Sequence, residues 1–182
     1  NEITQHMPIM MEIIGKIKEK VGRITILLPI ADNIDEESIE KFRPSNLKIK
    51  YMKKISHDAL FHSNAAIIAS GSAVLEAAIL GTPSIVIYKI SQLSYAIARL
   101  LVKVKFISLP NIILEKEIFP EFIQHFDSEK IAEKTVHMLN NGRETIKEDM
   151  EILRTKLSKK DSYLLAKDAV IRFLENRYGA IS

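Results

Sequence analysis

The sequence contains no cysteine. Disulfides, thiol nucleophiles and thiolate metal sites are thereby excluded, and the composition suits a reducing compartment. No apolar run is long enough to span a bilayer. No segment is of low complexity, and no repeat has a convincing period. The phosphate-binding patterns GxxxxGK[ST] and GxGxxG are both missing. The histidines, His6, His57, His62, His125 and His137, show no metal-ligand spacing. His57 and His62 do not have the i, i+4 pairing that a helix would use for a metal. All five read as surface or cap residues, and no serine–histidine–acid set declares itself. Basic residues are not interleaved with aromatics as on a nucleic-acid surface, so no nucleic-acid partner is expected. The formal net charge of +3 permits an anionic ligand or a membrane surface and demands neither.

What is present is material for a core. Of 182 residues, 47% are apolar, which suits one domain, or a domain with a helical appendage. Arg23 to Pro29 reads as a buried strand, and Asn46 to Met52, which alternates, as a less buried one. Ala65 to Ala69 and Ser84 to Tyr88 are short, branched runs bounded by turn residues, the pattern of central parallel strands. Lys105 to Leu109 is a fifth candidate. Helical periodicity fills Ile3 to Lys20, Glu36 to Phe42, His57 to Phe61, Ala73 to Leu80 and Leu93 to Val102. This alternation predicts an α/β fold, a Rossmann-like parallel sheet with helices on both faces, over residues 1–126.

After Pro110 the pattern reads as helix only, with residues 127–182 as a C-terminal helical part. Asp127 or Ser128 can cap a helix that runs to Asn140, with Gly142 just past its end. Glu144 to Leu157 and Asp161 to Asn176 follow, the last with Tyr163, Ala166, Val170, Phe173 and Leu174 on one face. Such helices are either a cover for the sheet or an arm reaching elsewhere. Gln92 to Phe106 is apolar with Arg99, Lys103 and Lys105. It reads as a core helix followed by a strand with solvated lysines, or as a basic amphipathic surface for anionic lipid.

The stretch richest in chemistry is AAIIASGSAVLEAAILGTPSIVIYK, Ala65 to Lys89. Ser70-Gly71-Ser72 joins a strand to the helix it feeds, at the sheet edge where doubly wound folds bind ligands. A helix N-terminus presents unpaired N–H groups and partial positive charge, which suit phosphate. Gly71 lets the backbone approach closely, and the serines add hydroxyls. An ordinary capped strand-to-helix turn would use the same residues. Glu76 lies one turn into a helix that is otherwise apolar and therefore expected to be largely buried. A buried carboxylate needs partners. Vicinal hydroxyls of a ribose would supply them, as would a structural hydrogen bond near the helix dipole.

ASGSAVLEAAILGTPSIVIYK together with SLPNIILEKEIFPEFIQ, Ser108 to Gln124, closely resembles the lipid-A-disaccharide synthase family. The first block has counterparts in other UDP-sugar enzymes. The second, with Leu109-Pro110-Asn111 and Glu117-Ile118-Phe119-Pro120-Glu121, is much more specific. The resemblance implies the C-terminal, donor-binding lobe of a two-lobed (GT-B) glycosyltransferase. A glycine-serine-arginine loop, a first strand and an acceptor-binding N-terminal lobe with any catalytic base are then expected before Asn1, so the isolated chain is expected to be inactive.

The implied reaction joins UDP-2,3-diacylglucosamine to 2,3-diacylglucosamine 1-phosphate with inversion and release of UDP. No cofactor and no metal are implied. Carried onto this sequence, Ser70, Gly71 and Ser72 would hold the diphosphate and Glu76 the ribose. Tyr88 matches a tyrosine of a tyrosine-arginine pair, but Lys89 replaces the arginine and loses its bidentate fork. Asn111, Glu117 and Gln124 match positions facing the donor sugar or the cleft, with Asn111 a possible catalytic residue. The implied partners are the two lipid substrates, the N-terminal lobe, a second copy of the chain and the inner face of the cytoplasmic membrane. Two competing readings are another UDP-sugar enzyme of the same architecture and a non-catalytic remnant acting as an interaction module.

Overall fold

The computed structural model describes residues 2–69, 71–89, 105–158 and 171–172. Helix α1 (Glu2–Val21) leads into β1 (Ile26–Ile30), α2 (Glu37–Glu40), β2 (Ile49–Lys53) and α3 (Ser56–His62). Then come β3 (Ala66–Ala69), α4 (Ser72–Leu80) and β4 (Ser84–Tyr88). Helix α5 (Leu109–Leu114), β5 (Glu121–Ile123) and α6 (Ser128–Ser158) complete the described elements.

The strands form two small parallel sheets. β1 lies beside β2, with Ile26 opposite Ile49 and Ile30 opposite Lys53. β4 sits between β3 and β5, with Ala69 opposite Ile87 and Tyr88 opposite Ile123. Because neighbours are parallel, the carboxyl ends within each sheet open on one edge. β4 is buried along most of its length, which is why its run is continuously apolar rather than alternating. Ile85 and Ile87 face Ile13 and Ile17 of α1 and Ile131 and Ala132 of α6. Val86 faces the other way, toward Val74 and Ala77 of α4, Phe119, and Ile146 and Met150 of α6. Helix α1 also reaches the other sheet, since Met7 and Met11 pack with Ile30, Ile39 and Leu47.

Helix α6 belongs to both faces. It has 31 residues, so it is about 45 Å long at 1.5 Å per residue. Asp127 caps it, its Oδ1 accepting from Lys130 N at 3.1 Å, while Ser128 Oγ donates to Glu12 of α1. Near its middle, Gly142 rests on Pro83, just before β4 begins. The helix therefore passes under the amino end of β4 on its way from one face to the other. Arg143 donates to the carbonyls of Gly81 (3.1 Å), Ser63 (2.7 Å) and Phe61. Arg154 donates to Ile79 O at 2.8 Å, and Lys156 to Ile113 O at 2.9 Å. These cations sit on the free carbonyls at the ends of α3, α4 and α5, where the helix dipole favours positive charge.

Three sequence expectations change. The break expected at Gly142 is absent, and the two helices expected on either side of it are one. Gly142 is glycine because Pro83 leaves no room for a side chain, not because a helix ends there. Lys105 to Leu109 is not a strand: the amides of Ile107 and Ser108 donate to the Glu121 carboxylate instead of a ladder. The helix-only pattern expected after Pro110 is interrupted as well: Glu121–Ile123 is the third strand of the sheet that holds β3 and β4. Helix Leu93 to Val102 and the basic amphipathic surface proposed there lie outside the described residues, as does nearly all of Asp161 to Asn176.

Candidate functional site

The carboxyl edge of the three-stranded sheet collects most of the expected site residues. β3 runs out toward Gly71 and Ser72, β4 ends in Tyr88 before Lys89, and β5 ends in Ile123 before Gln124. Gln124 N donates to Tyr88 O at 2.8 Å. Its φ of 65° is left-handed, a conformation that costs a non-glycine residue and persists only where the surrounding structure holds it. Ser70 lies outside the described residues. Lys89 and Ser72 are exposed, and Tyr88 is half-buried.

Gly71 sets the geometry of this edge. Its φ of 156° and ψ of −166° fall in a region that is essentially glycine-only. A Cβ built there would meet nothing within 4 Å. Glycine is thus required by the backbone and not by crowding, and no described residue fills the space before it. Helix α4 starts at Ser72 with no side-chain cap and no acidic residue in its first turn. Its other end is closed: Gly81 is left-handed at φ 72°, with Thr82 N on Ala77 O at 2.8 Å. Arg143 and Arg154 take carbonyls there as well. Among the described residues, side chains neutralise the negative end of the dipole and not the positive end, which favours an anion at Ser72.

Glu76 differs from the sequence expectation. Val74, Ala77 and Ala78 are buried, but the Glu76 side chain on the flank of α4 is 38% exposed. Its Oε2 lies 3.0 Å from Nε2 of His57, in the first turn of α3. The partner is therefore a histidine that spacing rules had assigned to the surface. The signal was available only in the topology. α3 follows β2 as α4 follows β3, so both helices begin at carboxyl edges, and α3 packs on α4.

Asn111 and Glu117 do not join this edge. Asn111 is fully buried. Its Oδ1 accepts from Ile118 N (2.9 Å) and Phe119 N (3.0 Å), and its Nδ2 donates to Phe119 O (2.7 Å) and Glu121 Oε1 (2.8 Å). Two lone pairs and two N–H groups are all that a carboxamide has, so the structure gives Asn111 a loop to hold and leaves nothing for a sugar. Glu117 is exposed on that loop. Glu121, which had drawn attention only as part of a motif, organises the region. Its Oε1 accepts from Ser108 N (2.9 Å) and Ser108 Oγ (2.6 Å) besides Asn111, and its Oε2 from Ile107 N (2.8 Å). The carboxylate accepts the amide of Ser108, the N-cap residue of α5, as the acid of a capping box does, and Ser108 makes no side-chain cap of its own. Among the described residues, no group of three or more His, Asp or Glu is placed to hold a metal.

Parallel strands, helices on both faces and a glycine-led helix start at the carboxyl edge define a Rossmann-like α/β lobe. The family model for lipid-A-disaccharide synthetase matches residues 1–173. Lipid-A-disaccharide synthase of Syntrophus aciditrophicus is 37% identical over 163 residues, covering 86% of this chain and 42% of that protein. The Aquifex aeolicus enzyme of the same name is 35% identical over 179 residues, 97% of this chain and 45% of its own length. That of Rickettsia canadensis is 34% identical over 184 residues, with coverage of 96% and 47%. The chain belongs to the lipid-A-disaccharide synthetase family, and it spans less than half the length of these relatives.

Proposed function

We propose that this chain is the donor-binding part of a glycosyltransferase of lipid A biosynthesis, one that moves 2,3-diacylglucosamine from its UDP form to 2,3-diacylglucosamine 1-phosphate. The observation that carries the reading is the start of α4. Gly71 holds a glycine-only conformation, and among the described residues nothing fills the space before it and no side chain caps or neutralises the positive end of the helix. The diphosphate is assigned to Gly71, Ser72 and the first amides of α4, with Ser70 beside them. Glu76, one turn along, is assigned to the ribose hydroxyls, and Lys89 and Gln124 flank the sugar side.

In such a transfer the acceptor 6-hydroxyl attacks the anomeric carbon as the bond to UDP breaks, and negative charge grows on the departing diphosphate. Amides fixed in advance around that charge stabilise the transition state more than the ground state. The base that removes the hydroxyl proton is assigned to the other lobe of the enzyme. The lobe alone is therefore expected to bind nucleotide and to form no disaccharide, since transfer needs acceptor, base and donor held together. The acyl chains of the substrates put the reaction at the inner face of the cytoplasmic membrane, with this lobe as a peripheral partner. No helix among the described residues is long and apolar enough to cross a membrane.

The test is calorimetric titration of the chain with UDP, with and without EDTA. Weak binding that EDTA leaves unchanged is expected. Glu76→Gln should lower UDP affinity about tenfold or more, because a hydrogen bond to a charged group contributes roughly 1.5–3 kcal/mol. Binding that requires a divalent cation would remove the reading.

A further inference from the structure

The geometry points to His57 as a positioning residue for Glu76: its imidazole occupies one carboxylate oxygen so that the other is presented, in a fixed direction, to the ribose of a uridine nucleotide. This rests on the assignment of Glu76 to ribose and adds to it a second side chain, from a different helix.

Three observations support it. The first is contact: His57 Nε2 and Glu76 Oε2 are 3.0 Å apart. Glu76 Oε1 has no protein partner among the described residues. A carboxylate has two oxygens and room for about four hydrogen bonds, so most of its accepting capacity is unspent. The second is setting. The pair is exposed, 70% for His57 and 38% for Glu76, and an exposed side-chain contact contributes little to stability. A fold held by three apolar clusters has no structural need of it. The third is placement. Glu76 is the only charged residue of α4, one turn from Gly71, and His57 is in the first turn of α3. The pair therefore spans the ends of two helices that open on carboxyl edges.

A glutamate on a helix flank has several rotamers, and a ligand that needs one of them must freeze it. A histidine that already holds the carboxylate removes that cost. Freezing one such side chain is worth about a two- to tenfold change in affinity.

The experiment measures the affinity of the 182-residue chain for UDP and for 2′,3′-dideoxy-UDP, in wild type, His57→Ala, His57→Gln, Glu76→Gln and the His57→Ala/Glu76→Gln double variant. His57→Ala should lose roughly two- to tenfold in UDP affinity and nothing in dideoxy-UDP affinity, with an unchanged melting temperature. His57→Gln, which can still donate to the carboxylate, should recover most of the loss. Adding His57→Ala to Glu76→Gln should cost nothing further, because the histidine acts through the glutamate. If Glu76→Gln erases the preference for UDP but His57→Ala leaves it whole, the ribose assignment stands and the positioning role falls. Equal loss for both ligands in His57→Ala would mean direct contact with the nucleotide, which also overturns positioning. If wild type shows no preference, or Glu76→Gln keeps it, the ribose assignment itself fails and takes this inference with it.

Discussion

Gly142 and Pro83 touch at a distance that excludes a side chain: a Cβ on Gly142 would fall 2.8 Å from Pro83 Cγ and 2.9 Å from its Cβ. The proline cannot yield easily, because Thr82 and Ser84 on either side of it are fully buried. Gly142→Ala should therefore destabilise the chain by about 1–3 kcal/mol, the usual cost of overpacking. Gly15 in α1 is the control, since a Cβ there would meet nothing within 4 Å. Gly15→Ala should stabilise by about 0.5–1 kcal/mol through helix propensity alone. Urea unfolding of both variants checks the opposite signs. A neutral Gly142→Ala would mean that α6 can shift away from β4 without cost.

Glu121→Gln should cost about 1–3 kcal/mol although it is nearly isosteric. Both carboxylate oxygens face donors: Ser108 N, Ser108 Oγ and Asn111 Nδ2 on one, Ile107 N on the other. An amide must turn its own NH₂ toward one of these sets. Amide exchange at Ile107 and Ser108 should accelerate in the variant. Unchanged protection there would show that α5 is held by its packing alone.

Gly71→Ala separates conformation from space. The backbone region costs any other residue roughly 1–3 kcal/mol, and the added methyl would point where the nucleotide is proposed to sit. UDP affinity should fall about tenfold or more. A variant that melts early yet binds UDP normally would show that the nucleotide does not use the space before Gly71.

The contact between α1 and α6 should weaken in acid. Hydrogen bonds from Lys20 and then Lys16 hold the Glu129 carboxyl below its usual range. A carboxylate whose folded-state pKa is lowered contributes stability that is whole above its unfolded pKa. That contribution is lost as the pH falls through the folded value. Melting temperature should therefore decline on acidification, and the decline should be shallower in Lys20→Met. The group is exposed, so the effect is small and should fade with added salt. An identical acid limb in the variant would assign the decline to other carboxylates.

Where the chain's local signals and its tertiary contacts agree, the sequence was readable. Ser84 to Tyr88 is a strand to the residue, because it is buried on both faces and bounded by Pro83. The helix expected over Ala73 to Leu80 is α4, which begins one residue earlier, at Ser72. What escaped was set at long range. Lys105 to Leu109 has a strand's composition, but its amides are captured by Glu121, more than a dozen residues away. Gly142 looks like a stop signal and is a contact. Glu76 looked buried because its neighbours in sequence are apolar, yet a helix flank can be half wet. His57 carried no pattern, since its partner comes from the next strand–helix unit. Asn111 sat in a specific motif and proved to be saturated by its own loop.

Helix α6 has a thermodynamic consequence. Its first half completes the layer under Ile85 and Ile87, and its second half completes the layer around Val86. Neither layer can lose the helix without exposing the other, because one continuous backbone of hydrogen bonds runs through Gly142 between them. Melting of the two faces is thus coupled. The described lobe should behave as a single cooperative unit, with the calorimetric and van't Hoff enthalpies equal. Among the described residues it gains that unity at the amino edge of the strands, opposite the edge where the ligand is proposed to bind.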